Sequence, residues 1–318
     1  MKKLATKTLL LCSLFSSVAV AFAAYPEKPI SIIVPWGAGG NTDTIARLVA
    51  KGLQTELGVN VNVINRTGGS GVVGHDAIKR ARADGYTLGV ATAEIALMRH
   101  QKMTDLSYQD YTNIVRLAVV PGGIQVSKDS PYKDLNSLID AIKQNPGKLK
   151  ASGSGLNSIW HLNLLGILKS LNQPEDAVKF VPSQGASAAL QELISGGIDF
   201  TTSSPGEAKS MTDAGLVKHL AITSDGKDTL YPDIPVFKDV TKTNWTLGGW
   251  NVLVGPKGLP EDVQEKLVKA MEKVYASGEL QQFAHKQGFD VSALYGNDLI
   301  QFMKNEDTKF GDLLSTDK

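Results

Sequence analysis

The run Ile30-Ser31-Ile32-Ile33-Val34 is stopped by Pro35 and passes through Gly37-Ala38-Gly39-Gly40. From Thr42 the chain takes up apolar residues three and four apart, at Ile45, Leu48, Val49 and Leu53. A β-branched apolar run of this kind is a buried strand, and the change of spacing marks a helix. Gly58 is positioned to stop that helix in the left-handed conformation. The same unit of strand, glycine loop and helix recurs without sequence repetition. Strands over 59–64 and 88–92 flank a helix over 72–82, and strands over 114–120 and 124–127 precede a helix over 135–143 that Asn145-Pro146-Gly147 ends. A strand over 149–151 leads to a helix over 158–171, followed by a strand at 178–181, a helix at 187–194 and strands at 198–201 and 216–223. Alternation of this kind predicts an α/β chain with mostly parallel sheets.

Pro121-Gly122-Gly123 reads as a crossing between two lobes. A strand over 250–254 opens the last third, and helical patterns begin after Pro260, Ser277 and Tyr295. A C-terminal set of this length packs back across a neighbouring lobe, so one lobe is expected to draw on both chain ends. The expected division is lobe 1 over 24–124 plus 248–318 and lobe 2 over 125–247.

Lys2, Lys3 and Lys7 precede an apolar run from Leu9 to Phe22 that ends Ala21-Phe22-Ala23, which reads as a secretory signal peptide over 1–23, cleaved near Ala23. The run is too short for the roughly 20 apolar residues a bilayer demands, and no second run follows. The expectation is an exported, periplasmic protein. The single cysteine, Cys12, lies inside the signal behind Leu11, where a lipoprotein cleavage site wants a small residue. A processed chain without thiols has neither disulfides nor a zinc–thiolate site, and its stability rests on an ordinary core. Removing the signal takes three of the 33 basic side chains and none of the 32 acidic ones. The balance then falls slightly negative, which favours no nucleic acid partner.

Glycine-rich turns between strand and helix are ready sites for a carboxylate or phosphate, because the first helical amides lack internal partners and glycine lets an anion approach the backbone. Two such loops stand in corresponding places, Gly37 to Gly40 and Ser152-Gly153-Ser154-Gly155. Nucleotide readings fail on spacing: Thr42 stands where the dinucleotide fingerprint needs its last glycine, and no Gly-Lys-Ser/Thr occurs. A third loop, Asn65 to Gly71, carries Arg66, which suits a ligand carboxylate and a structural ion pair equally. Glu94 suits a ligand ammonium, although an acid in the first turn of a helix needs no ligand to explain it. Trp36 is a pocket wall or a packing residue. Neither serine loop has nucleophile-elbow spacing, and the five histidines form no zinc motif. Only His161, one turn into its helix, is placed to face a cleft.

Several stretches together carry a resemblance. Val34-Pro35-Trp36-Gly37-Ala38-Gly39-Gly40 with Thr42-Asp43 and Arg47, then Asn65-Arg66 with Gly68-Gly69, and Ala83-Asp84-Gly85-Tyr86-Thr87 belong to it. So do Ser152 to Gly155 with His161-Leu162, Val181-Pro182-Ser183-Gln184-Gly185, Gly196-Gly197-Ile198-Asp199-Phe200 and Pro232-Asp233-Ile234-Pro235. The chain resembles the Bug-type periplasmic receptors of tripartite tricarboxylate transporters over essentially all of its length after the signal. It departs from their commoner pattern at Trp36, where phenylalanine or tyrosine is frequent, at Thr67, which replaces a proline, and at Val236, where threonine is usual.

The resemblance implies an α/β, two-lobe periplasmic binding protein type II-like fold with the ligand in the interlobe cleft. It implies a carboxylate held by amides at Trp36, Gly37 and Ala38 in one lobe and at Ser154, Gly155 and Asn157 in the other. Thr92, Ala93, Gln184, Gly185, Ser203 and Ser204 are expected to line the cleft, and Asp43 to hold a bridging water or cap the first helix. The expected function is capture of a small di- or tricarboxylate by cleft closure, without catalysis, cofactor or metal, in a monomer that feeds integral membrane subunits. Rival readings are a receptor for an amino acid or aromatic acid using Glu94 or Trp36, a receptor that signals to a sensor kinase, and an exported hydrolase with Ser154 as nucleophile.

Overall fold

The computed structural model describes residues 25–315. The expected signal peptide lies outside them. Strand β1 (Ile30–Val34) is followed by α1 (Asn41–Leu57), which buries Ile45, Val49 and Leu53 and ends at Gly58 with φ 70°. Next come β2 (Val61–Asn65), α2 (Val72–Lys79), β3 (Thr87–Thr92), a 3-10 turn over Ala93–Ala96, and the long β4 (Tyr111–Pro121). The second part holds β5 (Gly123–Ser127), α3 (Leu135–Gln144), β6 (Lys150–Ser152), α4 (Ile159–Ser170), β7 (Lys179–Phe180) and α5 (Ala186–Ile194). It continues through β8 (Phe200–Thr201), α6 (Pro205–Asp213), β9 (Val217–Ile222) and α7 (Phe237–Thr241). The chain closes with β10 (Gly248–Pro256), α8 (Glu261–Ala276), α9 (Glu279–Lys286), β11 (Val291–Leu294) and α10 (Gly296–Ser315).

Two sheets form two lobes. The first has the order β11-β4-β10-β3-β1-β2 and the second β7-β6-β8-β5-β9. The expectation of mostly parallel sheets is corrected. Strand β1 is parallel to β2 and β3, and β6 to β7 and β8, but β10 is antiparallel to β3 and β4, β11 to β4, and β5 to β8 and β9. The reason lies in the crossing. Strand β4 leaves the first sheet at Pro121 and β5 enters the second at Gly123, while β9 and β10 make the return journey alongside. Outgoing and returning strands pair head to tail, Pro121 with Gly248 and Gly123 with Ile222.

The crossing is knitted by backbone bonds. The Gly122 N–H donates to Leu247 O (2.9 Å), Thr223 N–H to Gly122 O (2.8 Å), and Leu247 N–H to Thr223 O (2.9 Å). The first lobe has a core of Ile32, Val90, Leu253, Leu267 and Phe310, and the second one of Val126, Leu168, Phe200 and Phe237. Among the described residues no helix is long and apolar enough to cross a membrane.

Candidate functional site

Loops at the carboxyl ends of parallel strands, where a sheet's helices begin, are the places an α/β fold offers to ligands. Here β1 delivers Trp36 and Gly37, and β3 delivers Thr92, Ala93 and Glu94. From the other lobe come Ser154 after β6, Gly185 and Ala186 at the start of α5, and Glu207 on the first turn of α6. These residues line one cleft, together with Asn41 and Thr42, Ile159 and Trp160, and Gly249, Trp250 and Asn251. The lobes meet across it. Gly37 N–H donates to Gln184 O (3.2 Å), Ser70 Oγ to Leu156 O (2.6 Å), and Tyr231 Oη to Gly288 O (2.9 Å).

Two carboxylates bridge the cleft reciprocally. Glu94, in the first lobe and 2 % exposed, accepts from Ile159 N–H (3.1 Å) at the start of α4 in the second. Glu207, in the second lobe, accepts from Asn41 N–H (3.3 Å) at the start of α1 in the first. Each carboxylate sits where a helix N-terminus favours negative charge. Burial pushes the Glu94 carboxyl above the usual range, against the lowering pull of the Thr92 hydroxyl and the Ile159 amide. Burial also raises Glu207, to about 7, opposed by bonds from Ser204 and Asn41 and assisted by the charge of Glu94. Ser204 and Glu207 form a capping box: the Glu207 carboxylate accepts from the Ser204 N–H and hydroxyl, both at 3.0 Å.

Behind Glu94 the end of β3 is fixed by buried polar groups. The Thr92 hydroxyl donates to Glu94 and accepts from Trp36 Nε1 (3.3 Å). Thr92 N–H donates to His75 Nε2 (3.1 Å), while His75 Nδ1 lies 2.8 Å from the Gly71 carbonyl, so the proton resides on Nδ1. Burial lowers the imidazole to about 4, against the raising pull of that carbonyl. A line of amides runs beside it: Asn41 Nδ2 donates to Asn251 Oδ1 (3.0 Å), and Asn251 Nδ2 to Thr42 Oγ1 (3.1 Å). The strand pairing of Asn251 with Thr92 puts this line next to Glu94.

Of the expected site residues, Trp36, Gly37, Thr92, Ala93, Ser154 and Gly185 converge on the cleft. Ala38 and Gln184 are exposed at its rim, where Gln184 contributes its backbone carbonyl. Gly155 packs against Ser70 across the lobes, and Asn157 turns with φ 62° and donates its N–H to His161 Nδ1 (3.1 Å). Ser203 bonds Gln125 (3.3 Å). Asp43 accepts from Gly39 N–H (2.9 Å), from Arg47 and from Asn65, bracing the first glycine loop from behind. Burial opposes its charge, but the Arg47 guanidinium with the Gly39 and Asn65 donors holds its carboxyl below the usual range. His161 packs against Phe180, the rings tilted by 46° with centres 4.3 Å apart, and does not line the cleft. Trp36 is both wall and core.

Glu94 is more than a first-turn acid, since the helix it caps belongs to the other lobe. Sequence reasoning missed Asn41, Glu207 and Asn251. The Ser204-Pro205-Gly206-Glu207 pattern is a legible helix start, but nothing in it announces the second carboxylate oxygen reaching α1. The Ser154 hydroxyl pairs with Ser158 rather than with a base. Among the described residues no three His, Cys, Asp or Glu side chains come together as a metal site requires.

The family model described as "Tripartite tricarboxylate transporter family receptor" matches residues 45–317. The chain is similar to protein BugT of Bordetella pertussis, 30 % identical over 245 residues, covering 75 % of this chain and 74 % of BugT. Among solved structures it is similar to the periplasmic binding protein BugD, at 25 % identity and a TM-score of 0.85, covering 92 % of this chain and 98 % of that one. A Rhodopseudomonas palustris protein solved with adipate shares the fold, with a TM-score of 0.86 at 23 % identity, over 92 % of this chain and 98 % of its own.

Proposed function

Because the chain belongs to the tripartite tricarboxylate transporter receptor family, we propose that it closes on a small organic acid and delivers it to integral membrane transporter subunits. The observation that carries this reading is the meeting of three helix N-termini, those of α1, α4 and α5, around one cleft lined from both lobes. Their leading amides and dipoles favour an anion. In this reading Trp36, Gly37, Thr92, Ala93, Ser154 and Gly185 touch the ligand. Ala38, Gly155, Asn157 and Gln184 form the rim, and Asp43, Ser203 and Ser204 hold the loops. The lobes, over 24–124 plus 248–318 and over 125–247, move about the crossing at Gly122. A ligand that bridges both binds the closed state more tightly and shifts the population towards it. The protein acts as a periplasmic monomer released by cleavage near Ala23, binding without turnover.

The test is a thermal-shift screen of protein stripped of bound ligand by a denaturing wash, using mono-, di- and tricarboxylates, aromatic acids and amino acids. Adipate is one member of the class to include. A ligand specific to the native state raises Tm by linkage. One acid class is expected to do so, and Gly37→Leu to abolish the rise, because a Cβ there already lies 3.4 Å from the Gln184 carbonyl of the opposite lobe. Hydrolysis of an ester dependent on Ser154, with no acid raising Tm, overturns the receptor reading.

A further inference from the structure

We propose that the ligand of this cleft is an organic acid that also carries a protonated amine, with Glu94, Glu207 and the amide oxygen of Asn41 receiving its N–H groups. The inference rests on the receptor reading and narrows its substrate class.

The first observation is charge. Of the described residues lining the cleft only Glu94 and Glu207 are ionisable acids or bases; no lysine, arginine or histidine is among them. A plain dicarboxylate would add two negative charges to a site that already holds two carboxyl groups and would compete with them for the same helix N-termini. Like charges brought together out of water disfavour ionisation, and the Glu207 carboxyl, raised mainly by burial, is pushed slightly further the same way by the charge of Glu94. A cationic nitrogen reverses the sign of the interaction with both groups.

The second observation is an acceptor without a donor. Asn41 lines the cleft, is 5 % exposed, and its Oδ1 has no hydrogen-bond partner. Its orientation is set by its neighbours, since Asn41 Nδ2 is used on Asn251 Oδ1 and Asn251 Nδ2 on Thr42. A buried polar atom left unpaired is costly, so a site that keeps one is built for a ligand that supplies the missing donor. A carboxylate offers no donor. An ammonium offers up to three, matching two carboxylates and one amide oxygen. The third observation is the wall. Trp36, Trp160 and Trp250 line the same cleft, and indole rings favour a cation over an anion. The acid end of such a ligand remains the business of the glycine-loop amides.

The experiment compares matched pairs on the stripped full-length receptor by thermal shift and titration calorimetry: aspartate with succinate, glutamate with glutarate, and β-alanine with propionate. The amine-bearing member of at least one pair is expected to raise Tm and bind at least about tenfold more tightly than its deaminated partner, the worth of an added hydrogen bond to a charged group. Glu94→Gln and Glu207→Gln, each checked for an unchanged ligand-free circular dichroism spectrum, are expected to remove that preference. If the plain acids bind equally or better, the amine inference is overturned while the receptor reading stands. If no acid of either kind binds, both fall.

Discussion

A single imidazole, His75, ties two segments that shape the cleft. Its Nδ1–H points to Gly71 O at the start of α2, and its Nε2 accepts the Thr92 amide at the end of β3. A second proton on Nε2 would face an N–H, so the fold holds the ring neutral, with its pKa lowered to about 4 by burial. The sign of the pH effect follows. A group favoured in its neutral basic form contributes stability that is fully present above its unfolded pKa, near 6.5, and is lost as pH falls towards 4, on the order of 3 kcal/mol over that window. His161 and His219 are also lowered to about 4 and titrate alongside. The readout is therefore a difference. Denaturant midpoints of wild type and His75→Gln, compared from pH 8 to pH 4, are expected to converge as pH falls, because glutamine keeps an acceptor and a donor without titrating. A constant gap would refute this role.

At the scale of elements, α1 and α8 approach so closely that a Cβ on Gly52 would lie 2.6 Å from Val274 Cγ1. Gly52→Val is expected to cost about 1–3 kcal/mol by overpacking, measured by urea unfolding, and Val274→Ala in the same chain to recover part of it. Elements with strong local signals were legible in the sequence. The stop of α1 at Gly58, the helix after Asp134 and the strand of Ile30 to Val34 rest on residues that dictate their own conformation. What escaped was set from a distance. Strand β11 holds four residues against β4 and has no apolar run of its own, and α6 opens on Ser204, read as a cleft residue, whose hydroxyl also caps the helix. Sheet direction escaped for the same reason, since it follows from how two connections share one crossing. In the site, the glycine loops were visible as punctuation. Asn41, Glu207 and Asn251 came to line the cleft only when chain segments more than 160 residues apart met.

For the whole molecule, the reading of two moving lobes makes Gly122 their hinge, where a Cβ would come within 2.5 Å of Asn163 Nδ2 and 2.6 Å of Thr223 Oγ1. Gly122→Val is expected to hold the lobes apart. Small-angle scattering should then give a larger radius of gyration than wild type, and no contraction with a ligand that contracts the wild type; an identical profile would remove Gly122 from the hinge. The reciprocal carboxylates have a different consequence. Each lobe carries its own imitation of an anion and presents it to the helix opposite, a bond between the lobes that needs no cargo. If these contacts hold an empty receptor shut, a transporter that listened only for shape would hear noise. Fidelity then depends on contrast, on how much cargo adds to the bridges the two glutamates already make, and weakening either glutamate would quieten the background as well as the signal.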